Sequence, residues 1–161
     1  MSERKKGSQL LIGVISDTHG LLRPEAVDAL QGADYIIHAG DIGRSIILDE
    51  LRSIAPVVAV RGNMDGGWWA YQLPVADVFE VNKILIYVIH DISKIDVDPK
   101  TANIKVVISG HTHSPSIGNH DGVLYLNPGS AGPRRSKRPV SVALIKIAGM
   151  ATKAELITLK V

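Results

Sequence analysis

At 161 residues the chain is long enough for one domain to bury a core without staples, and no second domain is expected. A formal net charge of +2 is too small for a dedicated nucleic-acid coat, and the absence of cysteine removes disulfides and thiolate metal sites. Hydrophobic residues make up 45% of the chain, yet no apolar run approaches the roughly eighteen residues of a membrane span.

The expected organisation is a single domain over residues 1–161, with 1–8 a flexible N-terminal extension. Its basic start followed by QLLIGVIS imitates a secretory signal. That reading is rejected, because the apolar run is short, lacks a small-x-small cleavage site and leads straight into Asp17 and His19. A cytoplasmic location is the default expectation. Residues 9–16 read as a strand buried on both faces, since a continuous Leu/Ile/Val run suits a covered parallel sheet. A helix over 23–32 follows, with Pro24 in its first turn and Gly32 closing it. Strand 34–39, helix 45–54 and strand 56–61 repeat the alternation, which predicts right-handed crossovers and a parallel sheet. The second half changes character. Strands 75–81 and 84–90 join near Asn82-Lys83, 105–109 is a short buried strand, and 116–126 is a hairpin around His120-Asp121-Gly122. Residues 140–147 and 152–160 form a final antiparallel pair, and directly joined strands imply a second sheet packed on the first.

Residues suited to metal binding stand just after five of these apolar runs. They are Asp17 and His19 in Asp-Thr-His, Asp41 in Gly-Asp, Asn63 in Gly-Asn, His90, and His111 and His113 in Gly-His-Thr-His. In open α/β sheets, ligands bind beyond the carboxyl ends of the strands, so the five loops are expected to converge on a binuclear metal site. Residues two apart in an extended segment point the same way, which brings Asp17 and His19 to one ion. Asp41 is the expected bridge, its two oxygens binding two cations roughly 3.5–4 Å apart. Four imidazoles among all-N/O donors suit manganese, iron, cobalt, nickel or zinc better than calcium or magnesium and do not choose among the five, of which manganese is named first as the expected cofactor. Two divalent ions against Asp17, Asp41 and a bridging hydroxide leave a positive centre for an anionic phosphate ester. No G-x-S-x-G elbow and no P-loop is present.

The order and spacing resemble the small calcineurin-like metallophosphoesterases, in particular the compact YfcE-like phosphodiesterases. The resemblance covers roughly the first 130 residues and includes His38 in His-x-Gly-Asp, the Gly-Asn-x-Asp box ending at Asp65, Leu73-Pro74 and Asn127-Pro128-Gly129-Ser130. It implies an α/β fold, a four-layer α/β-β/α sandwich of two mixed sheets flanked by helices. It also implies that the first ion takes Asp17, His19, Asp41 and His113, and the second Asp41, Asn63, His90 and His111. The function expected is a binuclear metal-dependent phosphodiesterase acting on a small phosphodiester through the bridging hydroxide.

Asp41, Asn63, His38 and Asp65 are the candidate catalytic residues. His38 either orients the site or is merely structural, and Asp65 either holds a ligand or substrate water or caps its loop. Trp68 and Trp69 form a wall over the site, an oligomer contact or plain core. His120 belongs to a surface turn. Arg134, Arg135, Lys137 and Arg138 form a basic cluster, read as a solvated loop or a contact to substrate phosphate. Larger relatives carry histidine after the Gly-Asn pair, where this chain has Met64. The family usually continues after His90 with Gly-His and a helix, where this chain has Asp91-Ile-Ser and a shortened or absent helix that leaves one side of the site open. Two alternatives stand beside the enzyme: a non-catalytic scaffold, as in a retromer subunit of this fold, and a metal-dependent nuclease using the basic cluster.

Overall fold

The structure is a computed structural model and describes residues 9–161, so the expected flexible extension over 1–8 lies outside the described residues. The chain forms, in order, β1 (Leu10–Ile15), α1 (Pro24–Leu30), β2 (Tyr35–His38), α2 (Ser45–Arg52), β3 (Val57–Ala59), α3 (Trp68–Tyr71), β4 (Ala76–Val81) and β5 (Ile84–Ile89). A 3₁₀ turn at Ile92–Lys94 follows, then β6 (Ile104–Ile108), β7 (Ser116–His120), β8 (Val123–Asn127), β9 (Ser141–Ala148) and β10 (Ala151–Thr158). No described helix is long and apolar enough to cross a membrane.

Two mixed five-stranded sheets result, in the orders β10-β9-β1-β2-β3 and β4-β5-β6-β8-β7. The first three strands run parallel, as the helix crossovers require, and the C-terminal hairpin adds β9 antiparallel to β1. Pro24 starts α1 with a φ already suited to a helix, and α1 buries Ala26 and Leu30 on the first sheet. Gly13 makes that approach close, since a Cβ there would stand 2.6 Å from Leu30 Cδ2. α2 adds Ile47, Leu48 and Leu51 to the same layer.

In the second sheet, Asn82 and Lys83 turn β4 into β5 with φ of 51° and 64°, the positive pair that a two-residue hairpin favours. Alternation along β5 then assigns its two faces. Ile84, Ile86 and Val88 join Ile12 and Val14 of β1 in the core between the sheets, while Tyr87 and Ile89 face the other way. That outer face is covered by Ile92 and Ile95 from the segment after His90. The fourth layer of the sandwich is thus reduced here to a 3₁₀ turn and loop, because the span between β5 and β6 is short and interrupted by Pro99.

The inter-sheet core is the main source of stability. Ile86→Ala, at a fully buried position, should destabilise the fold by about 2–5 kcal/mol through lost burial and a residual cavity. Val78→Ala on the exposed face of β4 should stay within about 0.5 kcal/mol. Urea midpoints of the two variants check the contrast.

Candidate metal centre

The loops that follow β1, β2, β3, β5 and β6 meet at one edge of the sandwich. They bring the seven residues expected as ligands together. Asp17, His19 and His113 present ligand atoms that all lie within 4.8 Å of one another, and Asp41, His90 and His111 form a second such triad. Asn63 joins the second, its Oδ1 lying 3.1 Å from His111 Nδ1.

Asp17 is fully buried. Its Oδ2 accepts from Ser16 Oγ at 2.7 Å and from the His111 amide at 3.0 Å, while Oδ1 has no hydrogen-bond partner. Around that oxygen stand His113 Nε2 at 3.3 Å, His19 Nε2 at 3.6 Å and His90 Nε2 at 3.9 Å. His90 Nδ1 lies 2.7 Å from the Ala39 carbonyl, which can only accept, so Nδ1 carries the proton and Nε2 keeps a lone pair. This Nε2 is a buried atom without a hydrogen bond, 3.2 Å from Asp41 Oδ2. Lone pairs of buried carboxylate and imidazole atoms therefore converge on the same space, the donor arrangement that divalent cations fit.

Local charge follows from these contacts. Burial works to raise Asp41, but His90 and the Met64 amide outweigh it, leaving the carboxyl below its ordinary range. Burial also pulls His90 down, yet Asp41 and the charge of Asp17 prevail, so without a cation its imidazole is held above the usual value. Burial lowers His113, and the Arg135 charge and His19 add to the shift against the opposing carboxylates.

Two details differ from the expectations. Asp17 and His19 do not share a side through extended backbone. Both have left-handed φ, 56° and 46°, and the loop turns them to one point. Asp41, His111 and His113 are left-handed too, at 55°, 71° and 62°. Nor are the two Asp41 oxygens equivalent, since Oδ1 accepts the Met64 amide at 2.8 Å. Oδ2 alone faces both triads, 3.2 Å from His90 Nε2 and 3.8 Å from His19 Nε2.

The remaining candidates sit around this centre. His38 is fully buried and accepts the Gly40 amide at Nδ1, so its proton is on Nε2, 3.0 Å from Thr18 Oγ1. Burial drives its pKa down to about 3. Both Asp65 oxygens are engaged by backbone, Oδ1 by the Gly43 amide and Oδ2 by that of Gly62. Met64 is 68% exposed. Trp69 packs against the helix-side core, whereas Trp68 is 82% exposed. Arg134 donates to the Val161 carbonyl, and His120 is exposed with its ring 5.8 Å from Tyr125.

Several supporting groups escape a reading of the sequence. Ser130 Oγ donates to the Asp17 carbonyl at 3.0 Å, and Asn127 Nδ2 donates to the Gly110 carbonyl at 3.1 Å and to Thr112 Oγ1 at 3.0 Å. Their only signal is the Asn-Pro-Gly-Ser run. Beside His90 and Asn63 opens a cavity of about 280 Å³, lined also by Arg61, Tyr71, Val75, Ile89, Asp91 and Lys94.

Comparison with known proteins places this geometry. A probable metallophosphoesterase of Methanocaldococcus jannaschii is 44% identical over 137 residues, covering 77% of this chain and 69% of that one. A phosphodiesterase of the same archaeon is 30% identical over 137 residues, 73% of this chain and 82% of its own. Among solved structures, Vacuolar Protein Sorting 29 from Cryptosporidium parvum matches with a TM-score of 0.75 at 19% identity, over 92% of this chain and 97% of that one, a likeness of fold alone. Residues 10–150 match the model of the calcineurin-like phosphoesterase superfamily domain, and with the archaeal identity this makes the chain a member of that metal-dependent phosphoesterase superfamily.

Proposed function

We propose that this chain is a binuclear metal-dependent phosphodiesterase of small phosphodiesters. The observation that carries the reading is the pair of triads with Asp41 Oδ2 facing both, set around buried atoms that have no hydrogen-bond partner. Asp17, His19, His113 and Asp41 would hold one ion, and Asp41, Asn63, His90 and His111 the other. Manganese is the first candidate, with nickel, cobalt, iron or zinc as the others. When bound, two divalent cations supply an acidified water and neutralise charge on a phosphate.

The chain's own groups support such chemistry by holding positions. The nearby hydroxyls are committed elsewhere: Ser16 Oγ to Asp17, Thr18 Oγ1 to the Ile42 carbonyl, and Ser130 Oγ to the Asp17 carbonyl. A side-chain nucleophile is therefore not part of the reading. We assign His38 and Asp65 to positioning: His38 holds Thr18 between two ligands, and Asp65 ties the loop after β2 to that after β3. Cytoplasmic location remains part of the proposal. A protein-binding scaffold is the second reading, favoured by exposed Met64, Trp68 and Tyr71 in and around α3, the nearby apolar surface.

Metal content and turnover of a generic aryl phosphodiester, with and without chelator, separate the two readings. The enzyme reading expects about two metal equivalents per chain and chelator-sensitive turnover, and a chain without turnover leaves the scaffold. Asp41→Asn keeps an acceptor for the Met64 amide but removes the charge that faces both triads. It should deplete both ions and lower turnover by more than the roughly 100-fold typical of groups that merely support ligands. His19→Ala should disturb mainly one ion. Normal occupancy and turnover in Asp41→Asn would contradict the assignment.

Leaving-group dependence tests a second consequence. Met64 offers no proton and is directed to solvent, and His38 is sealed within the core. Departure of the alcohol should therefore depend steeply on its acidity, with aryl diesters far faster than alkyl ones. Met64→His should narrow the gap, since general-acid catalysis contributes about 10²–10⁴-fold where geometry permits. A flat dependence, measured where chemistry limits the rate, would reveal a proton donor outside this account.

A further inference from the structure

The cavity beside the second triad has a composition that metal binding does not require. Asn63 and His90 are among its lining residues, so a phosphate held at the metal centre would lie beside it. Val75, Ile89 and Tyr71 supply apolar and aromatic walls, and Arg61 and Lys94 supply two cations. The Arg61 guanidinium lies over the Tyr71 ring, 5.3 Å from its centroid, which steadies the planar fork. Neither Arg61 nor Lys94 forms an ion pair or side-chain hydrogen bond among the described residues.

Two carboxylates also line the cavity, and both are engaged. Asp65 is bonded to two backbone amides. Asp91 accepts from the Ser93 amide and hydroxyl and lies 3.8 Å from His111 Nε2. Of the four charged side chains in the lining, the carboxylates are thus tethered by neutral donors, while the two cations keep N–H donors that no hydrogen bond uses, next to a surface suited to a planar ring.

We propose that this cavity is a specificity subsite for one arm of the substrate, an aromatic or heteroaromatic ring bearing its own anionic group, as in a nucleotide with a second phosphate. The ring packs against Tyr71, Val75 and Ile89, and the anion meets Arg61 and Lys94. The inference rests on the phosphodiesterase reading and adds the chemistry of the substrate to it. The site exists because the segment after His90 is a 3₁₀ turn: Lys94 stands on that turn and Ile89 ends the preceding strand.

A matched pair of aryl methyl phosphodiesters tests the proposal, one with a 4-carboxylate on the ring and one with a neutral 4-carboxamide. The metal-loaded wild-type chain should favour the carboxylate by about five- to tenfold in kcat/KM, mainly through KM, a size set by partly exposed charge contacts. In the double variant R61Q/K94Q the ratio should fall to near one. A wild-type ratio near one, or a ratio unchanged in the variant, overturns the subsite. Should neither diester be cleaved, the phosphodiesterase reading fails separately. Calorimetric affinities of the uncleaved pair for the metal-loaded chain and for R61Q/K94Q then decide the subsite by the same ratio. Thermal unfolding of R61Q/K94Q close to wild type shows that a changed ratio reflects the cavity rather than the fold.

Discussion

The buried carboxylate of Asp17 governs the organisation of this molecule. An ionised carboxylate removed from water costs several kcal/mol unless it is paired or hydrogen bonded. The protein satisfies one oxygen with Ser16 and the His111 amide, and leaves the other to face three imidazole nitrogens. A cation between them relieves the anion and uses the nitrogen lone pairs at once. The surrounding backbone is shaped to keep the arrangement tight. A Cβ on Gly110 would collide with Ser16 Oγ and come within 2.6 Å of Asp17 Oδ2, so glycine before His111 is a steric requirement of the carboxylate's back wall.

The second cost is conformational. Five of the seven expected ligands occupy the left-handed region, where a side chain costs about 1–2 kcal/mol relative to glycine. Asp, Asn and His tolerate it better than most residues. The strain persists because amide bonds stitch the loops together beyond the strand ends. Asp17, His19 and Gly20 donate to the carbonyls of Gly40, Asp41 and Ile42, which couples the loop after β1 to the loop after β2. The Gly110 amide donates to the His90 carbonyl and joins the loops of the second sheet. Two sheets with a shared apolar core thus hold a site whose local geometry is unfavourable taken alone.

Much of this was legible from the chain. Apolar runs of four to eight residues marked the strands because buried parallel strands are apolar on both faces. The ligands stood out because Asp, Asn or His closes each apolar run, directly after Ile89 in one case and past an intervening Ser or Gly in the others. Conformation at those residues was not legible. The Asp-Thr-His spacing fits an extended segment and a left-handed loop equally well, and only the amide bonds from the neighbouring loop select the second. The commitments of His38, Asp65 and the Asp41 oxygens were hidden for a related reason. Each is decided by backbone amides, local ones from Gly40 and Gly62 and distant ones from Gly43 and Met64, and an amide carries no mark of its partner in the sequence. The one-turn helix of Trp68–Tyr71 was not legible, Trp68 and Trp69 reading as a wall, an oligomer contact or plain core, since four residues are too few to show a helical period.

The same distinction explains why the cavity beside His90 escapes a sequence reading and why it can differ in character from the centre it adjoins. The ligand loops are held by buried amides and by glycines that admit no side chain, so few substitutions there leave the triads intact. Arg61, Tyr71 and Lys94 come from the loop after β3, from α3 and from the 3₁₀ turn, and none of their side chains holds a neighbouring loop through a hydrogen bond. They stand together around a cavity that the segment after His90 leaves open, although the same segment keeps Ile89 buried under Ile92 and Ile95. Substitution there would change what fits without moving Asp17 or Asp41. Arg61 shares its loop with Asn63 and Lys94 its segment with His90, so the proposed recognition would be tuned within a few residues of the ligands, on side chains that the ligand geometry does not use.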